Sequence, residues 1–156
     1  MDLMQITIHA ERPDTVDGLQ LIAELEAELA PLYLPESQHG YSVAKMIEQQ
    51  VAFFVVRVNG EPAGCGGIQL YPDYGELKRM YIRPAFRNMG LAQRLIDHLS
   101  TYATSHQCRL LRLETGILQP AAIRCYEKAG FYRIGPFGDY PDDPLSLFYE
   151  RRLVDD

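Results

Sequence analysis

The sequence is short of cysteine, and the three it has, Cys65, Cys108 and Cys125, are odd in number and scattered along 156 residues. That excludes a disulfide framework and fits reduced thiols. No segment reaches the ~18 apolar residues of a membrane span, and the N-terminus alternates like a strand without the basic start and long apolar run of a signal peptide. Positive charge is scarce as well: 15 Lys and Arg against 21 Asp and Glu leave a net charge of -6. A nucleic-acid binder needs the opposite, a clustered basic excess. His9, His39, His98 and His106 show no ligand spacing, so no metal is expected. These absences describe a cytoplasmic protein with neither nucleic acid nor membrane as partner. The acidity suits a cationic substrate, and a polyanionic ligand would have to rely on local backbone donors with nearby Arg or Lys.

What is present is ordinary globular material. A hydrophobic share of 47% and a charged share of 23% sit near the averages of folded domains, and the length suits one domain over residues 1–156. Residues 3 to 9 read as a strand, and Asp14 stands as a cap for a helix whose apolar stripe runs through Val16, Leu19, Ile22, Leu25, Leu29 and Leu32, with Glu24 and Glu28 on its other face. Ser42 caps a short second helix. Three strands follow, at 51–58, 62–71 and 75–82, the first two joined by Asn59-Gly60 and the next two by Pro72-Asp73. After Pro84 the period changes to that of a helix, with Leu91, Leu95, Leu99 and Tyr102 on one face. A strand at 109–115, a helix from Pro120 to Ala129 closed by Gly130, and two last strands complete the order. The implied fold is mixed α/β: a central, mostly antiparallel twisted sheet of about seven strands with helices on both faces.

The chemistry concentrates in Met80-Tyr81-Ile82-Arg83-Pro84-Ala85-Phe86-Arg87-Asn88-Met89-Gly90-Leu91-Ala92. Here a strand runs through a tight turn into the first turn of a helix, so free backbone N–H groups converge where the helix carries about +0.5 of an elementary charge. Gly90 and Ala92 leave room for a diphosphate to approach the backbone. Two other phosphate loops are excluded: nothing ends in the Lys-Ser/Thr of a P-loop, and Gly64-Cys65-Gly66-Gly67 lies between strands with Gln69 where a dinucleotide fingerprint needs Gly. Those glycines mark a bulge or a close packing contact.

Arg87-x-x-Gly90-x-Ala92, preceded by Ile82-x-Pro84, resembles the acetyl-coenzyme A pyrophosphate motif of the GNAT superfamily of N-acetyltransferases. Further on, Gln119-Pro-Ala-Ala-Ile123-x-x-Tyr126-Glu-Lys-x-Gly130-Phe131 is similar to that family's later helix-and-strand motif. The resemblance covers residue 51 onward by motif and the first fifty or so residues by element order. It implies transfer of acetyl from acetyl-CoA, the co-substrate, to a primary amine of a small molecule, an amino acid derivative, or a peptide or protein, by direct attack in a ternary complex. It also allows a homodimer. Backbone groups of Met80, Tyr81 and Ile82 would pair with the pantetheine arm, and Arg87, Asn88, Met89, Gly90, Leu91 and Ala92 would hold the pyrophosphate. Gln119 stands where many relatives have Asn near the pantetheine.

A lysine-like amine has a pKa of about 10.4, so only about one molecule in a few thousand is nucleophilic near pH 7 and a base is useful. The resemblance puts Glu76 in that role; Glu76 also alternates with Lys78, and a solvated carboxylate that pairs across strands is its plainer reading. Glu114 is the competing carboxylate, with pairing to Arg112 or Arg79 as its plainer reading. Tyr126 is placed by the motif to protonate the departing thiolate, a transfer uphill by about 2 kcal/mol from unperturbed values, so it assists without being indispensable. Cys125 has no neighbouring His to activate it and is set aside as a nucleophile. Acceptor selectivity is expected from residues Tyr33 to Tyr41 and Gly135 to Pro144, where Asp139, Asp142 and Asp143 beside Phe137 and Tyr140 suit an ammonium. The competing class is a non-catalytic acyl-CoA-binding module, against which Glu76 and Tyr126 speak.

Overall fold

Apolar alternation and turn chemistry account for most of the architecture seen in a computed structural model, which describes residues 4–33 and 41–153. The elements are β1 (Ile6–Ala10), α1 (Val16–Leu29), α2 (Val43–Glu48), β2 (Ala52–Val58), β3 (Glu61–Leu70), β4 (Gly75–Ile82), α3 (Leu91–Ser105), β5 (Leu110–Gly116), α4 (Pro120–Lys128), β6 (Tyr132–Ile134) and β7 (Ser146–Arg152). They build one seven-stranded sheet in the order β1-β2-β3-β4-β5-β7-β6. Every neighbouring pair is antiparallel except β4 and β5, which run parallel. Asn59 and Gly60 both have positive φ, 51° and 83°, the twist-compatible turn that a two-residue hairpin between β2 and β3 needs.

The strand period sends alternate residues to two cores. On one side Phe53 and Val55 meet Leu21, Ile22 and Leu25 of α1 and Met46 of α2. On the other, Phe54, Val56 and Leu77 meet Leu95, Ile96 and Leu99 of α3 and Tyr126 of α4. Each such fully buried aliphatic side chain contributes about 1.5–3 kcal/mol.

The first helix departs from expectation in two ways. Thr15, not Asp14, caps it, its hydroxyl accepting the Gly18 N–H at 3.0 Å. Asp14 is instead held by the Arg12 guanidinium through two bonds of 2.9 Å. The buried face is then Gly18, Leu21, Ile22 and Leu25, while Val16 and Leu19 point outward, 82% and 46% exposed. Glu24 and Glu28 on the polar face are not simply solvated. Together with Glu26 they pair with Arg83, Arg87 and Arg79, clamping α1 along the exit of β4.

Candidate active site

β4 and β5 are registered at two positions only, Gly75 with Leu111 and Glu76 with Arg112. The cause of their divergence lies one turn of pleat further along β4. Pairing to β3 jumps from Gly67–Lys78 to Cys65–Tyr81, and the extra residue, Arg79, has φ 57°. A bulge of this kind bends its strand and increases the local twist. A non-glycine residue pays conformationally for that left-handed geometry, and the Arg79 side chain holds it in place by donating to the Tyr41 carbonyl at 2.9 Å and pairing with Glu26. Gly66 faces the bulge, where any Cβ would run into the Met80 sulfur. The three glycines after Ala63 thus mark both a bulge and a close contact.

The split opens a cleft of about 580 Å³ whose walls include Leu77, Lys78 and Met80 of β4, Glu114 and Thr115 of β5, and Tyr126 of α4. Beyond Glu76, the side of β4 that faces β5 has no strand partner, which leaves it available to an extended ligand. At the end of β4 a 3₁₀ turn over Pro84–Phe86 leads into α3. Among the described residues, the N–H groups of Asn88, Met89, Gly90, Leu91, Ala92 and Gln93 donate to no backbone carbonyl. Gly90 caps α3 with φ 77°, and a Cβ built there meets nothing within 4 Å. The loop is therefore open and lined with donors, a fit for the diphosphate of an acyl-coenzyme A. The Arg87 guanidinium, expected among the phosphate ligands, lies on Glu28 at 2.8 Å and on the Ile82 carbonyl at 2.9 Å.

The remaining expected residues fall as follows. Tyr126 is on the cleft wall and packs edge-on against Phe131, centroids 5.7 Å apart. Its hydroxyl has no hydrogen-bond partner among the described residues, and burial above all, then Cys125 and Glu114, pushes its pKa up. It therefore stays protonated at neutral pH. Gln119 lines the cleft, but its Oε1 accepts the Gly116 N–H at 3.0 Å and so tightens the turn into α4. Glu76 is buried just behind the wall: its Oε2 accepts the Tyr140 hydroxyl at 2.5 Å and lies 3.1 Å from the Lys78 ammonium. Glu114 does line the cleft, with Oε2 accepting the Ser146 hydroxyl at 2.8 Å. The cationic partners proposed for it are engaged elsewhere, Arg112 with Glu150 and Arg79 with Glu26.

Cys125 does not line the cleft, and burial raises its thiol pKa, the reverse of what a nucleophile needs. Of the segment from Gly135 to Pro144, it is Tyr140 that reaches the cleft. Asp139, Asp142 and Asp143 do not line it, and Asp143 caps its own turn by accepting the Leu145 N–H at 2.9 Å. An ammonium cage of three aspartates is therefore corrected to an aromatic wall. Tyr33 and Tyr41 line the cleft too, while residues 34–40 between them lie outside the described residues. Tyr33 sits over Gly116, where a Cβ would overlap its hydroxyl, and accepts the Leu118 N–H at 3.1 Å. Sequence reasoning missed Lys78 as a cleft residue. Its signal was the two-residue spacing from Glu76, which puts both on one face. Among the described residues no group of three or more His, Cys, Asp or Glu is placed to hold a metal, and no helix is long and apolar enough to cross a membrane.

A mixed sheet prised open between parallel neighbours, with a helix N-terminus at the mouth of the gap, defines a coenzyme A-dependent acyltransferase. Comparison with known proteins agrees. The model of the Acetyltransferase (GNAT) family matches residues 19–131. An IAA acetyltransferase of Azospirillum brasilense is 39% identical over 150 residues, which span 95% of this chain and 98% of that protein. A crystal structure from Klebsiella pneumoniae, described as an acyl-CoA N-acyltransferase, superposes with a TM-score of 0.82 at 36% identity, covering 96% of this chain and 98% of the other. The PaiA N-acetyltransferase of Thermoplasma acidophilum, solved in complex with coenzyme A, shares the fold with a TM-score of 0.76 at 16% identity, covering 95% and 99% of the two chains. The chain belongs to the GNAT acetyltransferase family and is an acyltransferase that draws on coenzyme A thioesters.

Proposed function

We propose that the chain acetylates a primary amine using acetyl-CoA, by direct attack while donor and acceptor are bound together. The observation that carries this reading is the composition of the cleft wall: Glu114 and Tyr126 are there, and among the described lining residues there is no cysteine. A proton acceptor and a proton donor suffice for direct transfer, whereas an acyl-enzyme would need an activated nucleophile. Acetyl-CoA supplies the activated carbonyl and a thiolate leaving group. The amides from Asn88 to Gln93 hold its diphosphate, and the unpaired side of β4 at Met80 to Ile82 receives the pantetheine. The amine nitrogen forms the new C–N bond as the C–S bond breaks; its proton passes to Glu114, and the sulfur takes one from Tyr126. Glu76, one layer deeper, fixes Lys78 and Tyr140 rather than meeting the amine directly.

Free-thiol release from acetyl-CoA, followed across a panel of amines, tests the proposal. Release that depends on added amine, with N-acetyl product by mass spectrometry, is the expected result. A stable acetylated protein formed without any acceptor would overturn direct attack.

A further inference from the structure

Lys78 is a feature of the cleft that acetyl transfer to a plain amine does not use. Its side chain is 7% exposed, its ammonium lies 3.1 Å from Glu76 Oε2 and 3.8 Å from the centroid of the Tyr41 ring. Burying a cation is costly, and a salt bridge as deep as this one adds little stability over an apolar pair of similar size. Burial lowers the Lys78 pKa, and Glu76 works against that. The Glu76 carboxylate does not belong to Lys78 alone, because the Tyr140 hydroxyl donates to the same oxygen at 2.5 Å. An ammonium has three donors, and one suffices for Glu76. A second cation, Lys45, also sits over the Tyr41 ring, 4.6 Å from its centroid.

From the β5 side, Glu114 is near enough to act electrostatically on Lys78. The cleft wall therefore carries a carboxylate residue, Glu114, on β5 and a buried lysine, Lys78, on β4. That pattern complements a molecule carrying both signs of charge at short separation, and it penalises one whose only charge is an ammonium, which Lys78 would repel.

We propose that the acceptor is an amine that also carries a carboxylate, an α-amino acid or a close derivative, and that Lys78 receives the carboxylate while Glu114 faces the amine. This rests on the acetyl-transfer reading above and narrows its substrate class. Glu76 and Tyr140 are positioning residues: the Glu76 carboxylate holds the Lys78 ammonium, and the Tyr140 hydroxyl donates to that carboxylate.

The test compares kcat/KM for a set of α-amino acids with their carboxamides and their decarboxylated amines, in the wild-type chain and in Lys78→Met and Lys78→Arg. A charge-assisted hydrogen bond of the usual strength predicts a wild-type preference for the acid of about 10- to 100-fold. That ratio falls toward one in Lys78→Met and is largely kept in Lys78→Arg, with a coenzyme A titration reporting that both variants are folded. A wild-type chain that acetylates acid and carboxamide equally, or a Met variant that keeps the preference, overturns the inference and leaves acetyl transfer standing. No acetylation in the set, with turnover of other amines in the wider panel, overturns the inference alone; no turnover of any amine overturns both.

Discussion

Replacing Gly90 by alanine separates what the loop before α3 does for folding from what it does for the ligand. Gly90 has φ 77° and open space where a Cβ would go. The left-handed conformation costs an alanine about 1–2 kcal/mol, offset by about 0.4–1 kcal/mol from stiffening the unfolded chain. The net loss is on the order of 1 kcal/mol, a fall in Tm of about 2–4 °C for a domain this size. Gly60 is a matched control: φ 83°, nothing within 4 Å, and a place in the β2–β3 hairpin away from the cleft. Both variants should lose the same small amount of stability. In calorimetric titration they should differ. The methyl group at position 90 keeps a diphosphate off the amides, and losing one charge-assisted bond at about 1.5–3 kcal/mol weakens coenzyme A binding roughly 10- to 100-fold. The Gly60 variant should bind as the wild type does. Equal coenzyme A affinity in both variants would refute the reasoning, because the diphosphate would then lie elsewhere.

Tyr126→Phe should lower kcat by about tenfold or more while Tm barely moves, since the hydroxyl it removes has no partner among the described residues; a variant with unchanged kcat would remove Tyr126 from proton delivery. Glu114→Gln should reduce kcat by about two orders of magnitude or more, whereas Glu76→Gln, which loosens Lys78 and Tyr140, should act mainly through the acceptor KM; steady-state kinetics that reverse the two effects would exchange their roles. The Arg83 guanidinium holds the Glu24 carboxyl below its ordinary value of 4.5. A depressed folded-state pKa gives stability that is complete above the unfolded value and lost as pH falls through the folded one. Thermal unfolding from about pH 6 to about pH 3 should therefore show a steeper acid loss in the wild type than in Glu24→Gln, by at most about 1 kcal/mol; identical slopes would contradict the pairing.

The sheet and its helices were legible because each rests on a local signal. Asn59-Gly60 sets one hairpin, Ser42 caps α2, and the leucines of α3 recur at helical steps. The turn of unpaired amides before α3 was legible for the same reason, since donors at a helix start depend on backbone geometry that Pro84 and Gly90 announce. The choice between Asp14 and Thr15 as a cap was not, because Arg12 two residues away captures Asp14. The fate of Glu24 and Glu28 was hidden as well: their partners, Arg83 and Arg87, come from a strand exit 59 residues later in both cases. Arg79 carries no sequence mark of a left-handed residue, yet its bulge is what separates β4 from β5. The cleft is a tertiary consequence of that one kink, so which of Glu76, Lys78 and Glu114 reaches it depends on a bend that periodicity does not encode.

Acyl transfer by this route requires the amides opening α3 to be the diphosphate site. Amide-resolved NMR during a coenzyme A titration measures this directly. Saturable shifts are expected at Asn88 to Gln93, accompanied by shifts along Met80 to Ile82. Unmoved resonances at Asn88 to Gln93 in a sample that binds coenzyme A, with the changes confined to other parts of the chain, would contradict it.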